Sequence, residues 1–202
     1  TTYTASDIEV LEGLEPVRKR PAMYIGGTDS AGYHHLLWEI VDNCVDEAIN
    51  GHANKIEVEL DKDLRGATVA DNGRGIPVDP HPKFKDKSAL EVILTTLHSG
   101  GKFGGDVYVT AGGLHGVGLS VVNALSDRLT VEVARDNKLW SQSFVRGIPE
   151  TGLEKGGAVQ NRRGTTVIFH PDPKIFDSRT HFRPALLYRM ARSKAYLFAG
   201  VE

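Results

Sequence analysis

The chain has 202 residues, of which 40% are apolar and 25% are charged, with a formal net charge of −2. This length suits one large domain or two small ones, and the composition is that of an ordinary globular protein. The nearly balanced charge argues against a chain that is mainly a DNA-binding surface. Cys44 is the only cysteine, which excludes an internal disulfide and favours a reducing cytoplasm. The sequence has no apolar run of about 18 residues, so no membrane span is predicted.

The first part of the chain is predicted to hold two helices and two strands. They are a short helix capped by Ser6 or Asp7 and reaching Leu11, a long helix over about 33–50 that ends at Gly51, and strands over 55–60 and 67–70. A further helix is predicted over about 87–98, before a segment in which eight of nineteen residues, from Gly100 to Gly118, are glycine.

Strands concentrate in the second part of the chain. A helix is predicted over about 117–125, strands over 129–134, 139–146 and 165–169, and a closing helix over 185–198. Because helices come early and strands late, without regular βαβ alternation, the pattern predicts an α+β sandwich with a mixed or antiparallel sheet. No internal repeat divides the chain, so a single domain over residues 1–202 is expected.

The long predicted helix gathers acidic and amide side chains on one face. Six of them fall within roughly 140° at 100° per residue: Glu39, Asp42, Asn43, Asp46, Glu47 and Asn50. A solvated face is the simpler explanation, but such faces usually carry Lys or Arg at four-residue spacing, and none occurs between Gly32 and Asn54. Four carboxylates would repel one another unless a cation or polar ligand joined them, and Mg²⁺ with ligand phosphates suits such oxygen groups.

Two glycine motifs add to this signal. In the segment from Asp71 to Pro77, Asp-Asn-Gly-Arg-Gly-Ile-Pro, the carboxylate could bind a flat ligand lying against the glycines, although an Asx turn also explains it. The segment from Gly112 to Gly118 leads into a predicted helix, so its N–H groups could bind an anion, and Lys102 could add charge; a flexible loop is the alternative. Neither familiar nucleotide pattern, G-x-x-x-x-G-K-[ST] or G-x-G-x-x-G, is present, so any nucleotide would be bound by another fold.

Three motifs in this order carry a family resemblance: Glu-x-x-x-Asn on an acidic helix, Asp-x-Gly-x-Gly, and Gly-Leu-His-Gly-Val-Gly. They resemble the ATP site shared by gyrase, the heat-shock chaperone, histidine kinases and mismatch-repair ATPases. Residues 14–26, 39–48, 98–103 and 112–125 more specifically resemble the ATPase subunit of bacterial type II topoisomerases, and the resemblance extends from Tyr3 to Glu202. It implies an α+β, two-layer sandwich of a mixed, largely antiparallel sheet with helices on one face.

The resemblance implies a role for each matching residue. Glu39 would be the general base that activates the water attacking the γ-phosphate of ATP, and Asn43 would ligate Mg²⁺. Asp71 would accept a hydrogen bond from the adenine amino group, with help from a water, and Thr165 would lie beside that same water. The other expected ATP-site residues are Glu47, Arg74, Gly75, Ile76, Pro77, Ile93, Lys102, Tyr108, Gly113, Leu114, His115, Gly116, Val117 and Gly118.

The resemblance also implies how the molecule is organised. Residues 1–13 would form an arm whose Tyr3 and Ile8 reach a second copy of the subunit when ATP is bound, although by pattern the first six residues are only a polar tail. Residues 81–113 would form a mobile lid over ATP. Because no initial methionine is present, we expect an ATP-binding domain cut from a longer subunit, without its transducer and DNA-cleavage regions, that binds nucleotide and hydrolyses it slowly.

The expected partners are a second copy of the subunit and, in the full enzyme, the DNA-cleaving A-type subunit and DNA. An ATP-site inhibitor is a further expected ligand, and no membrane is expected. A module that only senses adenine nucleotide is a second hypothesis, which Glu39 disfavours. A chaperone or mismatch-repair ATPase is a third, which residues 18–21 and 113–116 disfavour, and a histidine kinase would need a phosphoacceptor helix that we do not find. Gyrase and topoisomerase IV share every motif, although residues 188–197 are closer to topoisomerase IV.

Overall fold

A computed structural model describes residues 4–7, 9, 11–97 and 118–202. After a 3₁₀ turn at Ala5–Asp7, the elements in chain order are α1 (Glu15–Lys19), α2 (Ala22–Ile25), α3 (Ser30–Ile49), β1 (Ile56–Leu60), β2 (Ala67–Asp71), α4 (Ala89–Thr95), α5 (Leu119–Ala124), β3 (Ser126–Arg135), β4 (Lys138–Val145), β5 (Ile148–Pro149), β6 (Glu154–Ala158), β7 (Gly164–Pro171) and α6 (Pro184–Leu197). None of the helices in these ranges has the length and apolar character needed to cross a membrane.

The strands form one sheet in the order β1-β2-β7-β3-β4-β5, and β6 also pairs with β4. Every pairing between these described strands is antiparallel. β6 pairs with the beginning of β4 and β5 with its end. The predicted α+β class with a largely antiparallel sheet is therefore confirmed.

The two faces of the sheet have different environments. Val58, Val69, Val167 and Val131 occupy one row across β1, β2, β7 and β3, and the last three are at most 2% exposed. The neighbouring row includes Ile168, which is 39% exposed. Because adjacent residues of a strand point to opposite faces, the first row faces the core under the helices and the second faces solvent. The sandwich therefore has two layers, with its core between α3, α4, α5 and one face of the sheet.

The long predicted helix is present as α3 and begins three residues earlier than expected. The side chain of Asp29 accepts a hydrogen bond from the N–H of Gly32 at 3.1 Å, which is the arrangement of a helix N-cap. The helix ends at Asn50 and Gly51, as predicted. The helix predicted over 87–98 is shorter, Ala89–Thr95, and is capped by Ser88, whose hydroxyl accepts from the N–H of Glu91 at 3.1 Å.

The short helix predicted to reach Leu11 is wrong. Ala5–Asp7 is a single 3₁₀ turn, Leu11 lies outside any helix, and the first α-helix forms instead at Glu15–Lys19, where a proline in the first turn suits a helix start. The capping residues Ser6 and Asp7 were a local signal without the apolar periodicity that would bury a helix.

α1 is attached to the core by an ion-pair cluster. Arg18 donates to a carboxylate oxygen of Asp172 at 2.9 Å and to the carbonyl of Ala124, the last residue of α5, at 2.8 Å, and Arg146 donates to the same carboxylate oxygen at 2.9 Å. Burial alone would raise the pKa of Asp172, but the N–H of Lys174 and the two guanidinium groups outweigh it and hold that pKa below its usual value. The cluster fixes α1 and the C-terminal end of α5 to the end of β7.

Candidate active site

α3 carries the residues around which the candidate site forms. Glu39, Asn43 and Glu47 are spaced four residues apart and therefore lie along one face of the helix. The distance from Glu39 to Glu47 along the helix axis is about 12 Å, on the scale of an extended nucleoside triphosphate. Each end of this row contacts one of the two glycine motifs.

Glu39 is a buried carboxylate, 8% exposed, with a contact on each oxygen. Its Oε1 lies 3.1 Å from Nε2 of His35, and its Oε2 accepts a hydrogen bond from the N–H of Gly118 at 3.2 Å. Gly118 is the N-cap of α5 and the end of the second glycine motif. Glu39 is thus held in a fixed orientation at the place where we predicted phosphate binding. The sequence interpretation missed His35, although its four-residue spacing from Glu39 was a usable signal.

Asp71, the last residue of β2, lies at the other end of the row. Its Oδ1 accepts hydrogen bonds from the N–H of Gly73 at 2.8 Å and from the N–H of Thr165 at 3.4 Å. Burial raises the pKa of Asp71, and the negative charge of Glu47 adds to this, while the bonds from Gly73, the Cys44 side chain and Thr165 oppose it. Each further hydrogen-bond donor, such as an amino group of a ligand, would stabilise the ionised form of this buried carboxylate.

The turn after Asp71 is held against β7 by close backbone contacts. The hydroxyl of Thr165 accepts a hydrogen bond from the N–H of Ile76 at 3.1 Å. Gly164 has a φ of +110°, and a Cβ there would lie 2.0 Å from the carbonyl oxygen of Asp71. Gly75 has a φ of +81°, in the left-handed region that glycine adopts without strain. Asp71 and Thr165, predicted to share a water, are therefore neighbours.

The expectation that the acidic face of α3 lacks cationic partners is wrong. Glu47 forms a two-point ion pair with the guanidinium group of Arg74, with its Oε1 2.6 Å from Nη2 and its Oε2 3.3 Å from Nε, and the same Oε2 accepts the backbone N–H of Arg74 at 3.1 Å. Asp42 lies 3.4 Å from the ammonium group of Lys194. The cations come from the loop after β2 and from α6, which no four-residue spacing within α3 could reveal.

The donor groups fit Mg²⁺ only as an ion shared with a nucleotide. The described residues contain no group of three or more His, Cys, Asp or Glu side chains that could hold a metal by themselves. Asn43, whose side chain ends in an amide oxygen, lies on α3 between Glu39 and Glu47. Mg²⁺ is commonly bound by one or two protein oxygen atoms when phosphates and water supply its other ligands.

The remaining predicted site residues are placed as follows. Ile93 lies on α4, partly buried against the core, and Pro77 is exposed after the turn. Lys102, Tyr108, Gly113, Leu114, His115, Gly116, Val117, Tyr3 and Ile8 lie outside the described residues. The range predicted as a lid, 81–113, includes α4, whose Leu90 and Leu94 are fully buried in the core.

Comparison with known protein families identifies this arrangement. A profile of the family described as "Histidine kinase-, DNA gyrase B-, and HSP90-like ATPase" matches residues 28–175, most of the chain, including Glu39, Asp71 and Gly118. The chain belongs to this ATPase family. The resemblance to the gyrase-like ATPases is thereby confirmed.

Individual relatives of this ATPase domain are type II topoisomerase subunits. The B-type subunit of DNA topoisomerase 4 from Bartonella bacilliformis is 62% identical over all 202 residues, which cover 29% of that protein. The same subunit from Caulobacter vibrioides is 60% identical over 99% of the chain and 28% of its own length. The B-type subunit of DNA gyrase from Thermotoga maritima is 53% identical over 99% of the chain and 31% of its own length.

A solved relative matches the three-dimensional structure. The 43K ATPase domain of Thermus thermophilus gyrase B, in complex with an aminocoumarin, aligns with a TM-score of 0.81 and 48% identity over 93% of this chain and 46% of that one. The chain thus spans less than a third of the curated relatives named above and about half of this solved domain.

Proposed function

We propose that this domain binds ATP together with Mg²⁺, hydrolyses it, and thereby drives the N-terminal clamp of a type II DNA topoisomerase. The single observation that carries the proposal is that α3 contacts both glycine motifs. Glu39 accepts the N–H of Gly118, and Glu47 accepts the N–H and guanidinium of Arg74 in the turn that follows Asp71. One rigid helix can therefore set the distance between a base pocket and a terminal phosphate.

The base pocket is the turn from Asp71 to Pro77 with Thr165. Asp71 accepts the amino group of adenine, which relieves the cost of its buried charge. Ile76 and Pro77 form an apolar wall, and Ile93 lines the same pocket. Adenine is bound by one charged acceptor and a flat apolar surface, which is the usual composition of small-molecule sites.

Hydrolysis uses Glu39 as the general base. A water between Glu39 and the γ-phosphate attacks phosphorus, its proton passes to the carboxylate, and ADP leaves as the bond to its β-phosphate oxygen breaks. The contact with His35 keeps the carboxylate oriented while the N–H groups at the start of α5 hold the phosphates. Mg²⁺, when bound with the nucleotide through Asn43, neutralises phosphate charge. Lys102 and Tyr108 take part in binding the triphosphate.

The whole protein is the B-type subunit of a DNA topoisomerase IV in this proposal. The support is that several relatives of that kind are more similar to the chain than the gyrase subunit of Thermotoga maritima is. Its partners are a second copy, contacted through an arm that includes Tyr3 and Ile8, an A-type subunit and DNA, and it works in the cytoplasm. An aminocoumarin, the ligand of the Thermus thermophilus domain, would compete with ATP for this site.

The experiment that tests the proposal measures ATP turnover and nucleotide binding in the complete subunit with Glu39→Gln. The amide keeps the shape of the side chain but cannot take the proton. We expect binding within a few-fold of wild type and turnover at least about 100-fold lower, the usual contribution of a general base. Glu59→Gln, an exposed residue on β1, is the matched control and should hydrolyse ATP normally. Wild-type turnover in the Glu39 variant would contradict the assignment of the base.

A further inference from the structure

The turn that forms the base pocket is held from outside by two arginines that come from distant parts of the chain. Arg163, in the loop between β6 and β7, donates from Nε to the carbonyl of Gly73 at 2.9 Å. Arg135, the last residue of β3, donates from Nη1 to the carbonyl of Gly75 at 2.9 Å and to that of Arg74 at 3.3 Å. Three successive carbonyl groups of one turn thus accept hydrogen bonds from guanidinium groups.

Arg163 also connects this turn to the end of α3. Its Nη2 donates to the carbonyl of His52 at 3.4 Å, and the N–H of His52 donates to the carbonyl of Glu47 at 2.9 Å. The guanidinium therefore bridges the turn and the C-terminal end of the helix that carries Glu39. Bonds from a charged donor are stronger than neutral ones, and the fork of an arginine fixes direction as well as distance.

The other side of the same turn is fixed toward the pocket. The N–H groups of Gly73, Arg74 and Ile76 donate to Asp71, Glu47 and Thr165, respectively. With its carbonyls bound by two arginines and its N–H groups bound by Asp71, Glu47 and Thr165, the turn has one defined position relative to the Asp71 carboxylate. Loss of an arginine would free a carbonyl of the turn and leave only the N–H bonds to hold it.

We propose that Arg135 and Arg163 are positioning residues that set the preference of the base pocket for adenine. This inference rests on the proposed ATP site. Adenine presents an amino donor where guanine presents a carbonyl acceptor. A rigidly placed Asp71 carboxylate therefore accepts a hydrogen bond from adenine but faces the carbonyl oxygen of guanine, which it repels. Discrimination of this kind depends on polar groups that cannot move to accommodate the wrong partner.

The test compares Arg163→Met with Arg162→Met. Arg162 is the adjacent arginine, but it pairs with Glu132 at 2.8 Å on the solvent face of the sheet, and none of the hydrogen bonds described for its side chain goes to the turn. Affinities for non-hydrolysable analogues of ATP and of GTP are measured by calorimetry on the 202-residue chain, with the melting temperature of each variant. For Arg163→Met we expect ATP-analogue binding to weaken by about three- to tenfold, the scale of one ordinary net hydrogen bond, because the lost bond acts on the nucleotide only through the turn. GTP-analogue binding should change less, so that the ATP-to-GTP ratio of affinities falls.

The control and the other variants test the same inference. Arg162→Met should keep the wild-type affinities and ratio, and Arg163→Lys, which can still reach one carbonyl, should recover part of the ratio. Arg135→Met should lower the ratio in the same direction. An unchanged ratio in Arg163→Met, or an equal loss for both nucleotides, would overturn the inference and leave the ATP site standing. Failure of the wild-type chain to bind the ATP analogue would overturn the proposed function as well.

Discussion

The ionised side chain of Asp71 is unfavourable for the stability of the folded chain. Burial raises its pKa above the usual value of 3.8, which means that the folded protein disfavours the ionised form. The bonds from Gly73 and Thr165 only partly oppose this. A group kept in this state without a stabilising role is typical of a functional site, where a ligand supplies the missing interaction.

Asp71→Asn should therefore make the chain more stable at neutral pH. The contribution of a carboxyl group with a raised pKa is fully present below pH 3.8 and is lost as the pH rises through the raised value. The amide keeps an acceptor oxygen and carries no charge, so the variant avoids that loss. Urea unfolding at several pH values should show the variant more stable than wild type at pH 7, with a difference that shrinks toward pH 4. A wild type that is the more stable at pH 7 would contradict the assigned cause.

The site residues that could be recognised from the sequence are those that belong to a short motif. Glu39 and Asp71 were recognisable because each is followed by its own glycine or amide neighbours at fixed spacing. Arg135 and Arg163 were not, because the carbonyls that they bind lie about 60 and 90 residues away in the chain. Backbone acceptors have no residue type, so no pattern of residues can point to them.

Among the elements, α6 is anchored rather than buried. No residue of α6 is fully buried, although Leu187 and Met190 pack against the core, and residues of α6, α3 and β1 line an apolar pocket of about 320 Å³. Its start is held by His34 of α3, whose Nε2 accepts the N–H of Arg183 at 2.9 Å and whose Nδ1 lies 2.8 Å from the carbonyl of Ser30. Its last turns are held by the contact between Lys194 and Asp42.

His34 should make this anchor sensitive to acid. Burial lowers the pKa of His34, and the charges of Arg183 and His181 lower it further, while its bond to Ser30 opposes this. A histidine with a depressed pKa contributes stability that is fully present above pH 6.5 and is lost as the pH falls from there through the depressed pKa. Protonation of Nε2 would also remove the acceptor for Arg183.

The check is urea unfolding of wild type and His34→Gln at about pH 7.5 and about pH 5.5, on either side of the ordinary histidine pKa. We expect the variant to be about 2 kcal/mol less stable at the higher pH, since a buried ring and its bonds are lost, and to lose less stability than wild type on acidification. His52→Gln, whose ring makes no ring contact or hydrogen bond among those described, should keep the wild-type dependence. Equal pH dependence in His34→Gln and wild type would rule out His34 as its source.

The elements that could be predicted are the ones with enough length to show a period. Apolar residues recur at three- and four-residue spacing over the five turns of α3, and they alternate with polar residues along β3 and β7, which have eight or more residues each. The existence of these elements therefore followed from their apolar spacing. α2 has only four residues, of which Ile25 is buried, and is too short to show a period. β6, Glu-Lys-Gly-Gly-Ala, is exposed throughout and has no buried face to detect. β6 is a strand because its backbone pairs with the edge of β4, and that edge exists only in the folded sheet.

For the whole molecule, the fold brings together motifs that are far apart in the chain by placing α3 across one face of an antiparallel sheet. The loop end at Gly118 reaches Glu39, and the strand end at Asp71 reaches Thr165. The fold class was predictable from the order of helices and strands, and the approach of Thr165 to Asp71 was implied by the family resemblance. The ion pairs that neutralise the acidic face were not, because they join α3 to elements formed elsewhere in the sequence.

Whether this arrangement binds ATP with Mg²⁺ is tested most directly by a calorimetric titration of the chain with a non-hydrolysable ATP analogue. It is carried out with and without Mg²⁺, on wild type and on Asp71→Asn. We predict saturable binding at one site that weakens without Mg²⁺, and that weakens by about 10- to 100-fold in the variant, the range for loss of a charged hydrogen-bond acceptor. Absence of binding by wild type, or equal affinity of wild type and Asp71→Asn, would contradict the proposed ATP site.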